Sequence, residues 1–302
     1  MGTALALALK AAGYQIEIVV TKRPSQARRA AEAIGGGTLG LSAQQLNRLN
    51  PTQLGRLINS SLVLIATPDD AIAAVAAQLA SIFESVGAGK VPDRRRIAMH
   101  TSGALSSEAL RPLQSAGFAT GSIHPLVSVS EPHAGARALG RAFFSLEGDR
   151  GAVRFAESVV RDFGGQSFII DAGHKSLYHA AAVMASPHVV ALFDMALEML
   201  GRCGVSSRRA RQVLLPLMKS TIANLSKQNP AAALTGTFKR GDAATVRRHL
   251  TAIESEDLQD ALQAYALLGQ RSLALARSLG TDGSRLEEIA LILSRVAKKR
   301  GS

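Results

Sequence analysis

The stretch Ser61-Leu62-Val63-Leu64-Ile65-Ala66-Thr67-Pro68-Asp69-Asp70-Ala71-Ile72 decides what kind of fold this chain can form. Ser61 to Ala66 is a nearly unbroken apolar run, the pattern of a strand buried on both faces. Pro68 stops it, and Asp69 is expected to cap a helix reaching Phe83. The same alternation recurs on either side. Upstream, Gly2 to Ala12 has helix-forming composition, Gln15 to Val20 is a β-branched run, and Ser25 to Ile34 is helical and closed by Gly35, Gly36 and Gly37. Downstream, Ile97 to His100 and Gly121 to His124 read as strands around an Ala104 to Gln114 helix. Phe143 to Glu147 and Ser167 to Asp171 flank a helix from about Gly151 to Phe163. Apolar strands alternating with helices predict an α/β class, a doubly wound parallel sheet covered on both faces.

From His174 onward the strand signals vanish. Helical stretches follow at His174 to Arg202, Ser206 to Lys227, Asp242 to Glu254, Leu258 to Leu279 and Ser284 to Lys299. The sequence therefore divides into an α/β domain over 1–171 and an all-helical domain over 172–302, with Gly173 as the hinge. A length of 302 residues accommodates two such domains.

Composition narrows the function classes. With 47% apolar and 19% charged residues the chain is not a disordered one. Aromatics at 4% and the absence of Trp disfavour stacking platforms for sugars or single-stranded nucleic acid. One cysteine, Cys203, rules out an intrachain disulfide or a multi-cysteine metal site and suits a reducing compartment. The net charge of +12 raises nucleic acid as a partner, but the basic groups at Arg94 to Arg96, Arg208 to Arg211 and Lys298 to Arg300 are short and scattered, with no nucleic-acid-binding signature. They read as solvated faces and a preference for an anionic ligand. Thr3 to Leu9 lacks the basic region of a signal peptide. Ala180 to Leu200 carries His188, Asp194 and Glu198 and reads as a buried helix of a soluble protein, so the expected location is cytoplasmic with no membrane partner.

A doubly wound sheet binds a dinucleotide where its first strand turns into its first helix, through a G-x-G-x-x-G loop. No complete motif is present. Gly2, with the helix after it, fits the third glycine of such a Rossmann-like loop, which would put the first strand and two glycines upstream of Met1; the alternative is a small residue beside a start codon. The second strand ends in Thr21-Lys22-Arg23-Pro24-Ser25, with no acid to take a ribose 2′-hydroxyl. Lys22 and Arg23 can pair with a 2′-phosphate, and Thr21 or Ser25 can donate to it, which points to NADP; a basic turn without a ligand is the alternative.

The order Gly2-Thr3-Ala4-Leu5, Ala66-Thr67-Pro68-Asp69-Asp70-Ala71-Ile72, His100-Thr101-Ser102-Gly103-Ala104, His124-Pro125-Leu126, Tyr178-His179-Ala180-Ala181-Ala182 and Leu234-Thr235-Gly236 resembles bacterial Rossmann-like proteins with a C-terminal domain of unknown function 2520. That family is similar to pyrroline-5-carboxylate reductase, 6-phosphogluconate dehydrogenase and deazaflavin-dependent NADP reductase. The resemblance implies NADP binding, oxidoreductase activity and a homodimer formed through the helical domain. Pro187 and Thr237 depart from the family pattern, which often has Asn and Pro there, and most of the glycine-rich loop is absent.

Within this frame Thr67 and Pro68 end a strand where ligands bind and are assigned to the cofactor site, with Asp69 as a cap. Ser102 beside Gly103 is either a ligand contact or a simple turn. His124 is either a general acid or a structural histidine. Lys175, His179 and Ser186 are expected to form a polar stripe on an apolar helix, facing either the site or a second subunit. Lys175, His179, Tyr178 and His124 are thus the candidate proton donors, although Lys175 also reads as a solvated helix-terminal residue. No metal site is expected, since His100, His124 and His133 lack ligand spacing. Asn229 to Asp242 is either a loop closing over an anionic substrate or a connection in which Asp242 caps the next helix. The leading expectation is an NADP-dependent oxidoreductase of a small, anionic metabolite; the alternative is a non-catalytic dinucleotide-binding or sensor protein.

Overall fold

The computed structural model describes residues 1–86 and 96–298, so Arg94, Arg95, Lys299 and Arg300 of the basic groups lie outside the described residues. The chain forms two compact units, Met1–Ser186 and Pro187–Ser302. The division falls after Ser186 and not at residue 171, because the helix that starts at Lys175 is anchored on the sheet of the first unit by a buried side chain.

Unit 1 opens with α1 (Gly2–Ala11), β1 (Ile18–Thr21), α2 (Pro24–Ile34), β2 (Leu39–Ser42) and α3 (Pro51–Ile58). It continues with β3 (Leu62–Ile65), α4 (Asp69–Ser85), β4 (Arg96–His100), a 3-10 turn (Ser107–Leu110), α5 (Arg111–Ser115) and β5 (Phe118–Leu126). α6 (Pro132–Leu139), β6 (Phe143–Gly148), α7 (Arg150–Asp162), β7 (Gln166–Ile169) and α8 (Lys175–Ala185) complete it. β1 and β2 pair in parallel as a separate two-stranded sheet; the other strands form a five-stranded sheet in the order β3-β4-β5-β6-β7. The fold is the expected Rossmann-like α/β class, with two differences from a single parallel sheet: β1 and β2 stand apart from the other strands, and β6 runs antiparallel to β5, whereas the other pairings in the five-stranded sheet are parallel. Apolar content identifies a strand but carries no information about its direction. β2, α3 and α6 were not expected; in β2, Gly40 breaks the apolar run Leu39-Gly40-Leu41-Ser42 that would signal a strand. The expected Ala104 to Gln114 helix is instead the 3-10 turn and α5.

The two faces of the sheet differ in chemistry. Met99, Ile123, Phe144 and Leu146 point to one side and pack with Leu5 and Ala8 of α1 and with Val153, Ala156 and Val160 of α7. On the other side Ile65 and Ala98 pack with Ile72, Leu79 and Phe83 of α4 and with Leu110 and Leu113. Arg96, at the edge of one sequence cluster, is not a solvated charge: its guanidinium lies 4.5 Å from the Phe118 ring centroid and 4.9 Å from that of Phe83.

Unit 2 is helical: α9 (Pro187–Arg202), α10 (Ser207–Leu225), the single turns α11 (Pro230–Ala233) and α12 (Gly236–Lys239), α13 (Ala243–Ser255), α14 (Gln259–Ser278) and α15 (Gly283–Lys298). Its core is drawn from α13, α14 and α15, with Val246, Leu250, Ile253, Leu273, Leu286 and Ile289 inside. Asp242 caps α13 by accepting from Thr245 N at 3.0 Å, so the Asn229 to Asp242 segment is an inter-helix connection with its cap as read. The helical stretch read from His174 to Arg202, with a kink expected at Pro187, is broken there outright: α8 ends before Ser186 and α9 starts at Pro187, which cannot extend the hydrogen-bond ladder. Ser186 thereby falls outside α8 and is exposed, so it does not join the polar stripe. Nor is Ala180 to Leu200 a buried helix: α9 has no buried residue, and α10 has only Ala210.

Gly148 ends β6 at φ +126°, and a Cβ there would lie 2.4 Å from the Thr120 carbonyl oxygen and 2.5 Å from Gly121 Cα. Gly148→Ala is expected to destabilise unit 1 by about 3 kcal/mol, read as a lowered urea midpoint with unchanged slope.

Candidate functional site

Strand register builds the site. Paired residues share a face of the sheet, and the pairs His100 with Ser122, Ser122 with Glu147, and His124 with Ser145 all lie on the side that α4 and α5 cover further back. His100, Ser122 and Ser145 are fully buried and Glu147 is nearly so. A buried polar layer on a sheet is costly unless its groups bond one another, and here most do. His100 is satisfied on both ring nitrogens: Nδ1 accepts from Ser102 N at 3.1 Å, and Nε2 donates to the Ser106 carbonyl at 3.0 Å. Burial lowers its pKa, keeping it neutral. Glu147 accepts from Ser107 N at 2.8 Å and Ser107 Oγ at 2.7 Å, and Ser122 Oγ lies 3.3 Å from its Oε2.

α8 brings the remaining groups down onto this layer. Lys175, Tyr178 and His179 are spaced by three and four, so they share one face of the helix. Lys175 is completely buried, not solvated, and donates from Nζ to Ser122 Oγ at 2.7 Å and to the Ser102 carbonyl at 3.3 Å. Tyr178 OH lies 2.7 Å from His124 Nδ1. The His124 ring meets that of Tyr178 edge-on at 5.6 Å and that of His179 at 5.4 Å. Gly103 sits against both imidazoles: a Cβ there would fall 2.4 Å from His179 Nδ1 and 2.9 Å from His124 Cε1 and Nε2. His179 Nδ1 is buried and has no hydrogen-bond partner.

The electrostatics follow from burial. Desolvation, with the neighbouring His179 and Lys175, pushes His124 down to about 4, so it is neutral at physiological pH. Desolvation raises Tyr178, which therefore keeps its proton. Desolvation likewise lowers Lys175, against the opposing pull of Glu147 and Asp69. A neutral imidazole hydrogen-bonded to a protonated phenol, beside a second imidazole with a free nitrogen, can pass a proton to or from a bound carbonyl or imine.

A second cluster gathers at the N-terminus of α1. Gly2 lies against Ala66, where a Cβ would come within 3.2 Å of the Ala66 Cβ, so backbone N–H groups of α1 stand beside the end of β3. α1 has no side-chain cap and no acidic residue in its first turn. Next to Ala66, Thr67 Oγ1 is buried without a partner, and Pro68 occupies the cap position of α4. Asp69 is therefore not the cap: it is the first residue of α4, and its carboxylate accepts from Ser102 Oγ at 2.9 Å. Ser102 Oγ also accepts from Ala104 N and Leu105 N, which commits it to the turn. At the end of β1, Lys22, Arg23 and Ser25 are exposed, and Thr21 Oγ1 donates to the Arg23 carbonyl at 2.8 Å.

Four expected proton-handling residues thus converge: His124, Lys175, Tyr178 and His179. Ser122, Ser145 and Glu147 were missed. In sequence they are ordinary strand residues; alternation along β5 already puts Ser122 on the face of His124, but only the pairing of β5 with β6 brings Ser145 and Glu147 there. Among the described residues no group of three or more His, Cys, Asp or Glu could hold a metal ion.

Residues 142–272 match the family model described as Domain of unknown function (DUF2520), so the chain carries that domain towards its C-terminus, as its motifs suggested. A crystal structure of a protein from Thermotoga maritima superposes with a TM-score of 0.66 at 23% identity, covering 92% of this chain and 96% of that one. A Bacteroides fragilis protein described as a candidate NADP oxidoreductase gives 0.67 at 19% identity, covering 90% and 93%. Pyrroline carboxylate reductase from Plasmodium falciparum, solved with NADP bound, gives 0.54 at 13% identity, covering 91% and 94%. The shared feature is the Rossmann-like fold with its helical continuation. No curated protein matches the chain by sequence.

Because the His124 pKa is depressed from 6.5 to about 4 in the folded chain, the unfolded chain takes up the proton first as the pH falls. Stability should be full above pH 6.5 and decline towards pH 4, with His100 contributing in the same direction. Thermal melts across this range should show a shallower slope for His124→Gln than for the parent.

Proposed function

We propose that this chain is an NADP-dependent oxidoreductase that moves a hydride between NADP(H) and the carbonyl or imine carbon of a small metabolite. The observation that carries this reading is the 2.7 Å contact of Tyr178 OH with His124 Nδ1, set beside the unpartnered Nδ1 of His179 on the polar face of the sheet. The fold is one that NADP-dependent reductases share.

The residues present fit a nicotinamide dinucleotide. The free N–H groups at the start of α1 with Gly2 would meet the pyrophosphate, and Thr67 with its orphaned hydroxyl and Pro68 would line the same site. Lys22 and Arg23, with Thr21 and Ser25, would hold a ribose 2′-phosphate; neither cation has a carboxylate partner among the described residues. The cofactor, when bound, supplies or accepts the hydride. His124 donates from Nδ1–H to the Tyr178 oxygen, which leaves the phenolic proton free for the substrate oxygen or nitrogen. As that proton leaves, His124 stabilises the phenolate. His179 Nδ1 accepts a hydrogen bond from the ligand and orients it. The net charge of +12 favours an anionic metabolite.

The chain is further proposed to act as a cytoplasmic homodimer joined through its helical part. Ala172–Arg202 is long and apolar enough to cross a membrane by length and composition, and none of its apolar window is buried in the structure. However, Lys175 near its start is bonded into the sheet of unit 1, and Asp194 and Glu198 interrupt the apolar run of α9. A second copy suits these surfaces better than lipid: α9 and α10 expose Val190, Val213, Leu217 and Ile222, while Arg208, Arg209, Arg211 and Lys219 on α10 can face acidic residues of a partner's α9.

Fluorescence titration tests the cofactor. NADPH should bind more tightly than NADH, and Lys22→Ala/Arg23→Ala should weaken NADPH at least tenfold, about 1.4 kcal/mol, while leaving NADH unchanged. Tyr178→Phe should retain binding and lose turnover in an NADPH-oxidation screen of carbonyl and imine compounds. Binding without oxidation of NADPH by the parent across that screen would favour the sensor reading. Sedimentation should find a dimer that Val213→Asp/Leu217→Asp converts to monomer; a monomeric parent would refute the pairing.

A further inference from the structure

Lys175 carries an ammonium group into a fully buried position, where an unpaired cation is strongly disfavoured. Its compensation is indirect. Nζ donates to Ser122 Oγ at 2.7 Å, and Ser122 in turn donates to Glu147 Oε2 at 3.3 Å. The Glu147 carboxylate is itself fixed by Ser107 through both oxygens. A second Nζ–H reaches the Ser102 carbonyl, and the hydroxyl of that same residue is held by Asp69. The Ser102–Gly103 turn is thus gripped from two sides by opposite charges. It is also the turn against which His124 and His179 rest, with room at Gly103 for a hydrogen only.

We propose that Glu147, Ser122 and Lys175 form a buried positioning relay that fixes the Ser102–Gly103 turn against the two imidazoles, so that Lys175 acts through its neighbours and does not itself exchange the substrate proton. This moves Lys175 from the proton donors, where its sequence position put it, to the support of His124, Tyr178 and His179. The inference rests on the reading of those three as the reacting groups, but its primary test is made without cofactor or substrate. The titratable groups facing the relay are Asp69 from α4, His100 from β4, His124 from β5, Glu147 from β6 and His179 from α8.

The experiment is an NMR titration of the intact protein labelled with 15N at its lysine side chains, with Lys175→Met identifying the signal. Glu147→Gln should lower the midpoint of the Lys175 amine by about one pH unit, since a carboxylate that favours the charged form is gone. Lys175→Met should raise the His124 midpoint above about 4, because a cation opposing its protonation has been removed. Should Glu147→Gln fail to fold, Ser122→Ala gives an independent measure: Lys175 ammonium protons, slow to exchange in the parent, should exchange at least tenfold faster. An unmoved or raised amine midpoint in Glu147→Gln, or ammonium exchange unchanged in Ser122→Ala, would overturn the relay. Where turnover is found, loss of the alkaline limb of the kcat profile in Lys175→Met would make Lys175 the donor and overturn the assignment; persistence of that limb at reduced height supports it. A failure of hydride transfer alone leaves these titrations intact and counts only against the oxidoreductase reading.

Discussion

The bond from Lys175 Nζ to Ser122 Oγ is the constraint on which the site of unit 1 depends. It draws the first turn of α8 onto β5 and makes that helix part of the α/β unit, although its composition matches the helical half of the chain. It also sets Tyr178 and His179, one turn further along, over His124. A buried ammonium is stable only if its surroundings are satisfied, so the hydroxyls and carboxylates of β5 and β6 are as necessary to the placement of α8 as any apolar contact. The energetic consequence is asymmetry: loss of either charge leaves the other stranded, whereas an apolar pair in the same place would be tolerated but would position nothing.

The sheet separates two tasks by face. One side, with Met99, Ile123, Phe144 and Leu146, supplies apolar burial against α1 and α7. The other changes along its length from Ala98 and Phe118 to His100, Ser122 and His124, from packing to chemistry, within a few residues of each strand. The antiparallel entry of β6 matters here. By running back along β5 it places Glu147 opposite Ser122 and Ser145 opposite His124, bringing a carboxylate and a hydroxyl to the strand that holds the imidazole.

The alternation of apolar strands and helices was legible because period and composition encode it directly; Leu62 to Ile65 and the helix after Pro68 are found where they were read. The convergence of Lys175, Tyr178 and His179 was legible through helical spacing. What the sequence could not display was partnership across strands. Nothing in Phe143-Phe144-Ser145-Leu146-Glu147 marks Ser145 and Glu147 as neighbours of His124, because strand direction and register are decided by tertiary packing. The same limit misplaced Asp69, whose carboxylate turned to Ser102 and not to the backbone of its own helix, and Lys175, whose exposure at a helix start is the usual outcome and is reversed here by a hydroxyl 53 residues away in the chain.

Helices α9 and α10 leave Val190, Val213, Leu217, Ile222 and Leu225 in water. Under the pairing proposed for these helices, the free energy of that surface is recovered only by encounter, so the folded lifetime of the chain becomes a function of its own abundance. Dilution then acts as a denaturing condition, and a cell making few copies would hold a less durable protein than one making many.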